Sequence, residues 1–470
     1  MKKALIFFLS ILLPLCTACQ NNLSQTPSAT VFTAADSQPK VKTLYCNDSY
    51  HGEIYAILEN GDVWRWGNYF DAEKNKIMNR LLPEKVTIEG LNLKNNVKKI
   101  CFYNAATFLL LNDGALYSWG GNDIGGCLGD GTTESRNTPQ KILDNVKDIF
   151  KIGTSLNSTD SQKQKEEEAQ ETTPFPTGDL SGLSQEDPSP TEAIAQEMTH
   201  SKYNVSAMGA LTNNNELYVW GYNGMGNLCT GNFASASSPV LLETDVLRVC
   251  SSGGMWTSPM WVIKNDGTVL KKVDSETNRG NTLVPMFKIE TQNIADIVSC
   301  QVSSHTLFVL YDNGEVIRYR YSDGVSSSQV FDSNIKEMAT GITENIFLKN
   351  DNTLWKLSID RNASLQNEKY IQISSNVSKL YNSEFYSDMS GNICRYDIQT
   401  PLMLDINNAL NIWDITNNAG TFVYLSSPDA YLYSWGAFPY GYSPLGIELN
   451  PGETEIEMPV QILFPAGWNS

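Results

Sequence analysis

The chain has 470 residues, with 34 Lys and Arg against 52 Asp and Glu, a net charge of −18. So acidic a surface repels DNA, RNA and anionic lipid headgroups, which makes all three poor partners. Hydrophobic residues make up 41% of the chain, enough for a core, and 33 glycines with 10% aromatics and 3 histidines favour a β-rich, turn-rich fold over a helical one.

At the start, Lys2 and Lys3 precede an apolar run from Ala4 to Leu15. That run is too short for a comfortable membrane span, so residues 1–18 are expected to be an export signal and no part of the fold. Its end, Cys16-Thr17-Ala18-Cys19, resembles the lipobox of bacterial lipoproteins, with Cys16 where that family usually has Leu. The resemblance implies cleavage before Cys19 and lipidation of its thiol, and hence an extracytoplasmic domain anchored to a bacterial membrane. Ordinary cleavage after Ala18 would leave the same mature end without lipid, and the protein would then be secreted. Residues 19–40 are polar and read as a tether. Seven cysteines remain: Cys46, Cys101, Cys127, Cys229, Cys250, Cys300 and Cys394. Their wide spacing suits neither a compact disulfide framework nor a zinc ribbon.

From Val41 onward the chain repeats itself. Asn60 to Gly67 reads NGDVWRWG, Asp113 to Gly120 reads DGALYSWG, Asn214 to Gly221 reads NNELYVWG and Asp429 to Gly436 reads DAYLYSWG. Weaker copies begin at Asp266, Asn313, Asp351 and Ser390. That makes eight copies, with a spacing typical of a propeller blade. The turn positions are Gly61, Gly114, Asn215, Gly267, Gly314, Asn352, Gly391 and Ala430. Asn-Gly and Asp-Gly tolerate positive φ, so type I′ hairpins are predicted there, with Ala430 as the one misfit. The third and fifth residues after each turn share one face of a strand. These pairs are Trp64/Trp66, Tyr117/Trp119, Tyr218/Trp220, Leu270/Lys272, Ile317/Tyr319, Trp355/Leu357, Cys394/Tyr396 and Tyr433/Trp435. All but Lys272 are apolar or aromatic, which suits packing of one sheet on the next. A strand precedes each turn, another such as Val97 to Cys101 precedes that, and several copies end in a proline-led strand at Pro139, Pro239 or Pro459. Four strands in each of eight units predict an all-β fold, a β-propeller.

The order Val-x-x-Ile, strand, Asp-Gly-x-Leu-Tyr-x-Trp-Gly, Asn, Gly, Leu-Gly, Pro resembles the repeat of the regulator of chromosome condensation family. Gly125, Leu128, Gly129 and Gly131 stand close to that family's Gly-Gln-Leu-Gly element, with one residue extra. The resemblance covers almost everything from Val41 to Leu463 and implies an RCC1-like propeller over residues 41–470. The repeat count gives eight blades; the family usually has seven, which stays the alternative. Within the third unit, residues 154–203 are rich in Ser, Thr, Pro, Gln and Glu and read as a disordered acidic insertion, either a spacer or a partner-binding arm.

Little here speaks for chemistry. His200 lies in the insertion, and His51 and His305 sit just before second strands, where structural roles account for them. No Gly-x-Ser-x-Gly elbow accompanies them. The glycine run from Gly120 to Gly131 lacks a P-loop lysine and lacks Gly-x-Gly-x-x-Gly at a strand-to-helix junction. Asp123, Asp130 and Glu134 could approach a calcium ion, but turn duty is the commoner role, and the EF-hand pattern is missing. Cys101 and Cys250 occupy the same place in two repeats and read as small buried apolar residues. No catalytic, cofactor or metal residue is therefore assigned, and Cys19 is the single modification site. The expected function is a non-catalytic, membrane-anchored module that binds a protein or an envelope glycan through loops, as a monomer. Two alternatives stand beside it: a regulator with guanine-nucleotide-exchange activity, implied by the eukaryotic namesake, and a propeller-scaffold lyase or glycosidase.

Overall fold

Each repeat is organised by one small loop. Leu58 N–H donates to the Asp62 carbonyl and Gly61 N–H donates to the Leu58 carbonyl, both at 2.9 Å, which leaves Glu59, Asn60 and Gly61 as the loop. Gly61 alone of the three has positive φ, at 84°. The same holds at Gly114, Asn215, Gly267, Gly314, Asn352 and Gly391. The type I′ expectation is corrected accordingly: these are three-residue loops that end on a left-handed residue, as in a type I turn with a G1 bulge. The Asn or Asp before the glycine has a different job from the one predicted. Its side-chain oxygen accepts the N–H two residues ahead, as in Asn60 to Asp62 at 2.9 Å, Asp113 to Ala115 at 2.9 Å and Asn313 to Glu315 at 2.9 Å.

The computed structural model describes residues 39–47, 52–122, 125–152, 207–224, 226–251, 260–272, 282–299, 306–322, 325–340, 344–358, 368–382, 384–395, 409, 411–417, 420–427, 431–437, 445–447 and 455–465. The predicted signal and insertion and the predicted tether up to residue 38, together with Cys19, His51, His200, His305, Asp123, Cys300, Tyr396 and Ala430, lie outside these residues. The described residues form eight antiparallel sheets, one per repeat. Blade 1 is β1 (Val41–Cys46), β2 (Ile54–Leu58), β3 (Val63–Asp71) and β4 (Lys76–Lys85). Blade 2 is β5 (Val97–Tyr103), β6 (Ala106–Leu111), β7 (Leu116–Gly120) and β8 (Arg136–Leu143). Blade 3 is β9 (Val146–Ile152), β10 (Ala207–Thr212), β11 (Leu217–Gly221) and β12 (Ala236–Glu243). Blade 4 is β13 (Val246–Ser251), β14 (Met260–Lys264), β15 (Thr268–Lys272) and β16 (Leu283–Lys288). Blade 5 is β17 (Ile294–Ser299), β18 (Thr306–Tyr311), β19 (Val316–Ser322) and β20 (Val325–Asp332). Blade 6 is β21 (Ile335–Thr340), β22 (Glu344–Lys349), β23 (Leu354–Ser358) and β24 (Lys369–Ser374). Blade 7 shows three strands among the described residues, β25 (Val377–Leu380), β26 (Phe385–Asp388) and β27 (Ile393–Arg395), where four were predicted. Blade 8 is β28 (Asn411–Asn417), β29 (Gly420–Ser426), β30 (Leu432–Ala437) and β31 (Glu455–Gln461). The prolines predicted to lead the fourth strands sit inside them instead: Pro139 in β8, Pro239 in β12 and Pro459 in β31.

The core lies between blades, in eight clusters that follow one another around a ring. Tyr117 and Trp119 pack on Tyr55, Ile57 and Val63 of blade 1, and Trp220 packs on Phe108, Leu110 and Leu128 of blade 2. Leu270 meets blade 3, Tyr319 meets blade 4, Leu357 meets blade 5, Cys394 meets blade 6 and Tyr433 with Trp435 meets blade 7. The aromatic stripe is thus core, and burial of this area is what stabilises the ring. The eighth cluster closes it: Trp64 and Trp66 of blade 1 pack on Tyr424, Leu432, Leu445 and Phe464 of the last blade. Strands β1 and β28 pair within their own sheets, and among the described residues the seam is packed by side chains. The first strands of neighbouring blades adjoin one another around the axis.

Candidate binding face

Strand direction assigns every connection to one of two faces. The links from second to third strands, and from fourth strands to the next blade, share one face. On that hairpin face, Asn145, Asp245, Asn293, Asn334 and Asn376 all adopt left-handed φ just before the next first strand. Each offers its carbonyl to the following hairpin: Asn213 N–H reaches Asn145 at 2.9 Å, Asn350 N–H reaches Asn334 at 2.8 Å and Met389 N–H reaches Asn376 at 2.8 Å. Backbone groups of this face are thus bonded to one another, within a blade as above and between blades as in Val146 N–H to the Gly114 carbonyl at 2.9 Å. The opposite face carries the links from first to second and from third to fourth strands. Their lengths vary widely, from residues 104–105 and 323–324 to 121–135, 222–235 and 438–454, and the predicted insertion connects β9 to β10 there. This variable face is the candidate binding face.

Two kinds of blade interface hold that face in place. In blades 2, 3 and 8 the position between the aromatic pair is small: Ser118, Val219 or Ser434. Ser118 Oγ donates to the Leu128 carbonyl at 2.7 Å and Ser434 Oγ to the Leu445 carbonyl at 2.8 Å, which folds each loop's leucine into the blade interface. Asn122 and Asn223, both fully buried, tie these loops together. Their side-chain amides donate to the Thr132 and Asn232 carbonyls, and their side-chain oxygens accept the Leu128 and Leu228 N–H groups at 2.9 Å. In the other blades the same position is a cation: Arg65, Lys271, Arg318, Lys356 or Arg395. Arg65 Nε donates to Glu84 at 2.8 Å, and Arg318 and Arg320 both pair with Glu368. The repeat pattern showed the asparagines without a role. The cation series escaped notice, although reading the fourth residue after each turn would have revealed it.

A buried titratable cluster lies between blades 1 and 2, at the variable face. Glu53 accepts from Thr107 Oγ1 at 3.2 Å and from Arg80 at 3.4 Å, while Arg80 also pairs with Glu84 and lies over the Tyr69 ring. Burial raises the Glu53 carboxyl above its usual range, against the pull of Arg65 and Arg80. Burial likewise raises the Tyr55 hydroxyl beside it. Near the axis, charges of both signs occupy equivalent positions of the first strands. Lys99 meets Asp148 at 2.8 Å, Arg248 meets Asp296 at 3.0 Å, and Glu337 accepts the Leu380 N–H at 3.0 Å beside Lys379. These six charges cancel one another.

The glycine run resolves into a structural loop. Asp130 is taken by Arg136 at 2.6 Å and by Thr132, and Glu134 is exposed. Cys127, expected near the tip of its loop, is instead buried at 2% exposure, and its thiol donates to the Gly121 carbonyl. Cys101 and Cys250 are half-buried, and burial pushes the Cys250 thiol up to about 12, where it is a poor nucleophile. The described cysteines are Cys46, Cys101, Cys127, Cys229, Cys250 and Cys394, of which Cys127, Cys229 and Cys394 are buried.

Residues 113–153, which span β7, its glycine loop, β8 and β9, match the family model of the regulator of chromosome condensation (RCC1) repeat. This unit is similar to the RCC1 repeat. Among solved structures, human WBSCR16 is similar at 13% identity over 73% of this chain and 84% of its own, with a TM-score of 0.43. Prp20p from Saccharomyces cerevisiae, described with its binding to Gsp1p and histones, is similar at 15% identity over 92% of this chain and 88% of its own, with a TM-score of 0.43. Neither likeness is close enough to carry a function across. The eight blades described above stand on their own geometry.

Proposed function

We propose that this RCC1-like propeller is an extracytoplasmic binding module, anchored through a lipid on Cys19, that engages a protein or an envelope glycan without catalysis. The contrast between its faces carries the reading. One face is a ring of short links whose backbone groups bond to each other; the other presents connections of unequal length on a rigid scaffold, the usual setting for recognition. The export signal expected from the sequence and the net charge of −18 support an outward-facing protein over a nucleic-acid or lipid-headgroup binder. Globomycin treatment with metabolic lipid labelling tests the anchor, and an unlabelled Cys19 would remove it. Cross-linking in envelope fractions tests the face. Phe233, 54% exposed on the link from β11 to β12, is the probe. Phe233→Asp is expected to weaken capture, and Glu59→Lys on the hairpin face to leave it unchanged; the reverse pattern would sink the assignment.

An RCC1-like repeat also suits a GTPase regulator, and the match over residues 113–153 keeps that reading alive. It requires a cytoplasmic protein. A full-length fusion found in the cytoplasm would favour it over the envelope module.

A further inference from the structure

Three asparagines of the chain are followed by glycine: Asn60, Asn223 and Asn313. Asparagine is thermolabile, and a following glycine has no Cβ to shield its nitrogen. That nitrogen can attack the asparagine Cγ. The side-chain nitrogen takes up the N–H proton and leaves as ammonia, and one water opens the cyclic imide that remains. Opening at Cγ gives aspartate; opening at the main-chain carbonyl gives isoaspartate.

Asn60 and Asn313 form a matched pair, in the same three-residue loop of blades 1 and 5. Gly61 and Gly314 have φ of 84° and 82° and donate to the Leu58 and Tyr311 carbonyls at 2.9 and 2.8 Å. Each asparagine oxygen accepts the N–H two residues ahead at 2.9 Å. The two backbones therefore act alike on the reaction, and the side-chain nitrogens differ. Asn60 Nδ2 donates to Asp62 Oδ2 at 3.2 Å, and Asp62 is buried and fixed by Lys85 at 3.1 Å. That carboxylate holds the group that must depart. Asn313 is exposed, and among the described residues its Nδ2 meets no hydrogen-bond partner. Asn223 is locked. It is fully buried, its Nδ2 donates to the Asn232 and Ala234 carbonyls at 2.9 and 3.1 Å, and its Oδ1 accepts the Leu228 N–H at 2.9 Å.

We propose that Asn313 is a spontaneous deamidation site of the folded protein, and that the fold protects Asn60 and Asn223. The loop also accommodates one of the products. Asp266 and Asp351 stand at the equivalent position of blades 4 and 6, and their carboxylates accept the Thr268 and Thr353 N–H groups at 2.9 and 3.0 Å. Aspartate at position 313 can make the same bond to Glu315. Isoaspartate instead lengthens the main chain by a methylene ahead of the left-handed Gly314. The modification adds a negative charge to the hairpin face and leaves the variable face as it was.

Peptide mapping by mass spectrometry, on the folded full chain held at mildly alkaline pH, tests this by reading the exchange of ammonia for water at each site. A hydrogen bond to a charged group is worth about tenfold in such a rate, so Asn313 is expected to convert about tenfold faster than Asn60. Asn223 is expected to stay intact. The same time course in urea is expected to bring the three rates together, which assigns their order to the fold. Equal rates at Asn60 and Asn313 in the folded chain, or the same order kept in urea, overturn the proposal. Asn313→Asp is expected to melt with the wild type, and a marked loss overturns the accommodation of aspartate.

Discussion

Gly129 of blade 2 and Trp220 of blade 3 share one volume. A Cβ on Gly129, whose φ is 74°, would stand 2.7 Å from Trp220 Nε1, the nitrogen that donates to the Cys127 carbonyl at 3.0 Å. Gly446 and Trp66 repeat the arrangement across the seam, with the corresponding distance 2.9 Å. In the third such loop the residue equivalent to Gly129 is Cys229, left-handed at φ 56°, and the strand that meets it carries Lys272 in place of tryptophan.

Gly129→Ala is expected to destabilise by about 1–2 kcal/mol from its backbone alone, with a displaced indole in addition. Trp220→Phe removes the hydrogen bond and is expected to cost about 1 kcal/mol or somewhat more. Combined, they should cost less than their sum, because a smaller ring relieves the clash. Urea denaturation of the three variants reads this directly, and strict additivity would refute the shared volume.

Cys229→Gly is expected to be neutral or to stabilise by up to about 1 kcal/mol, since it releases a left-handed side chain that no indole opposes. Thermal melting checks it. A large loss would mean that the Cys229 side chain contributes more packing than its backbone costs.

Asp113→Ala is expected to cost about 0.5–1.5 kcal/mol through loss of the bond to the Ala115 N–H, and Asp113→Asn to cost little. Equal losses in denaturant midpoint would argue against the side-chain bond as the reason for Asp in these loops.

The ring was legible in the sequence because each copy carries its turn, its aromatic pair and its spacing. Trp64/Trp66 and Tyr117/Trp119 point to blade packing without any knowledge of the neighbour. The loop type was misread because Asn-Gly suits two hairpin geometries and only φ at Asn60 and Asp113 separates them. Asn145, Asp245, Asn334 and Asn376 stand just before the first apolar residue of a blade, so their spacing was readable, but their left-handed backbone was not. Cys127 looked loop-exposed for a similar reason: its burial comes from Trp220, a residue of the next repeat. Partner-dependent features such as Glu53 with Thr107 leave no local pattern at all.

Glu53 makes stability depend on pH. Its folded pKa lies above the unfolded one, so the folded state holds the extra proton, and stability is lost as pH rises through the ordinary glutamate range and beyond. Glu53→Gln keeps an acceptor for Thr107 and is expected to flatten that decline and to match or exceed wild type at neutral pH. Melting temperatures across a pH series check this; a variant less stable than wild type at high pH would show that the arginines outweigh burial.

Two ion pairs should differ sharply in worth. Asp148→Asn breaks a half-exposed pair with Lys99 and is expected to cost about 0.2–1 kcal/mol, less in high salt. Glu368→Gln leaves Arg318 and Arg320 together without their carboxylate and is expected to cost on the order of 3 kcal/mol. Denaturation at low and high salt separates them, and equal losses would contradict the burial argument.

The junction of Trp64 and Trp66 with Tyr424 and Phe464 has a mechanical meaning. Every other described blade junction except the last is backed by a short covalent link; this one is held by ring contacts, such as the edge-to-face pair of Trp64 and Phe464 at 5.4 Å. A pull applied between Pro39 and Phe464 therefore loads side chains before any strand ladder. The molecule should open like a bracelet at its clasp, and the blades behind it should then release one at a time.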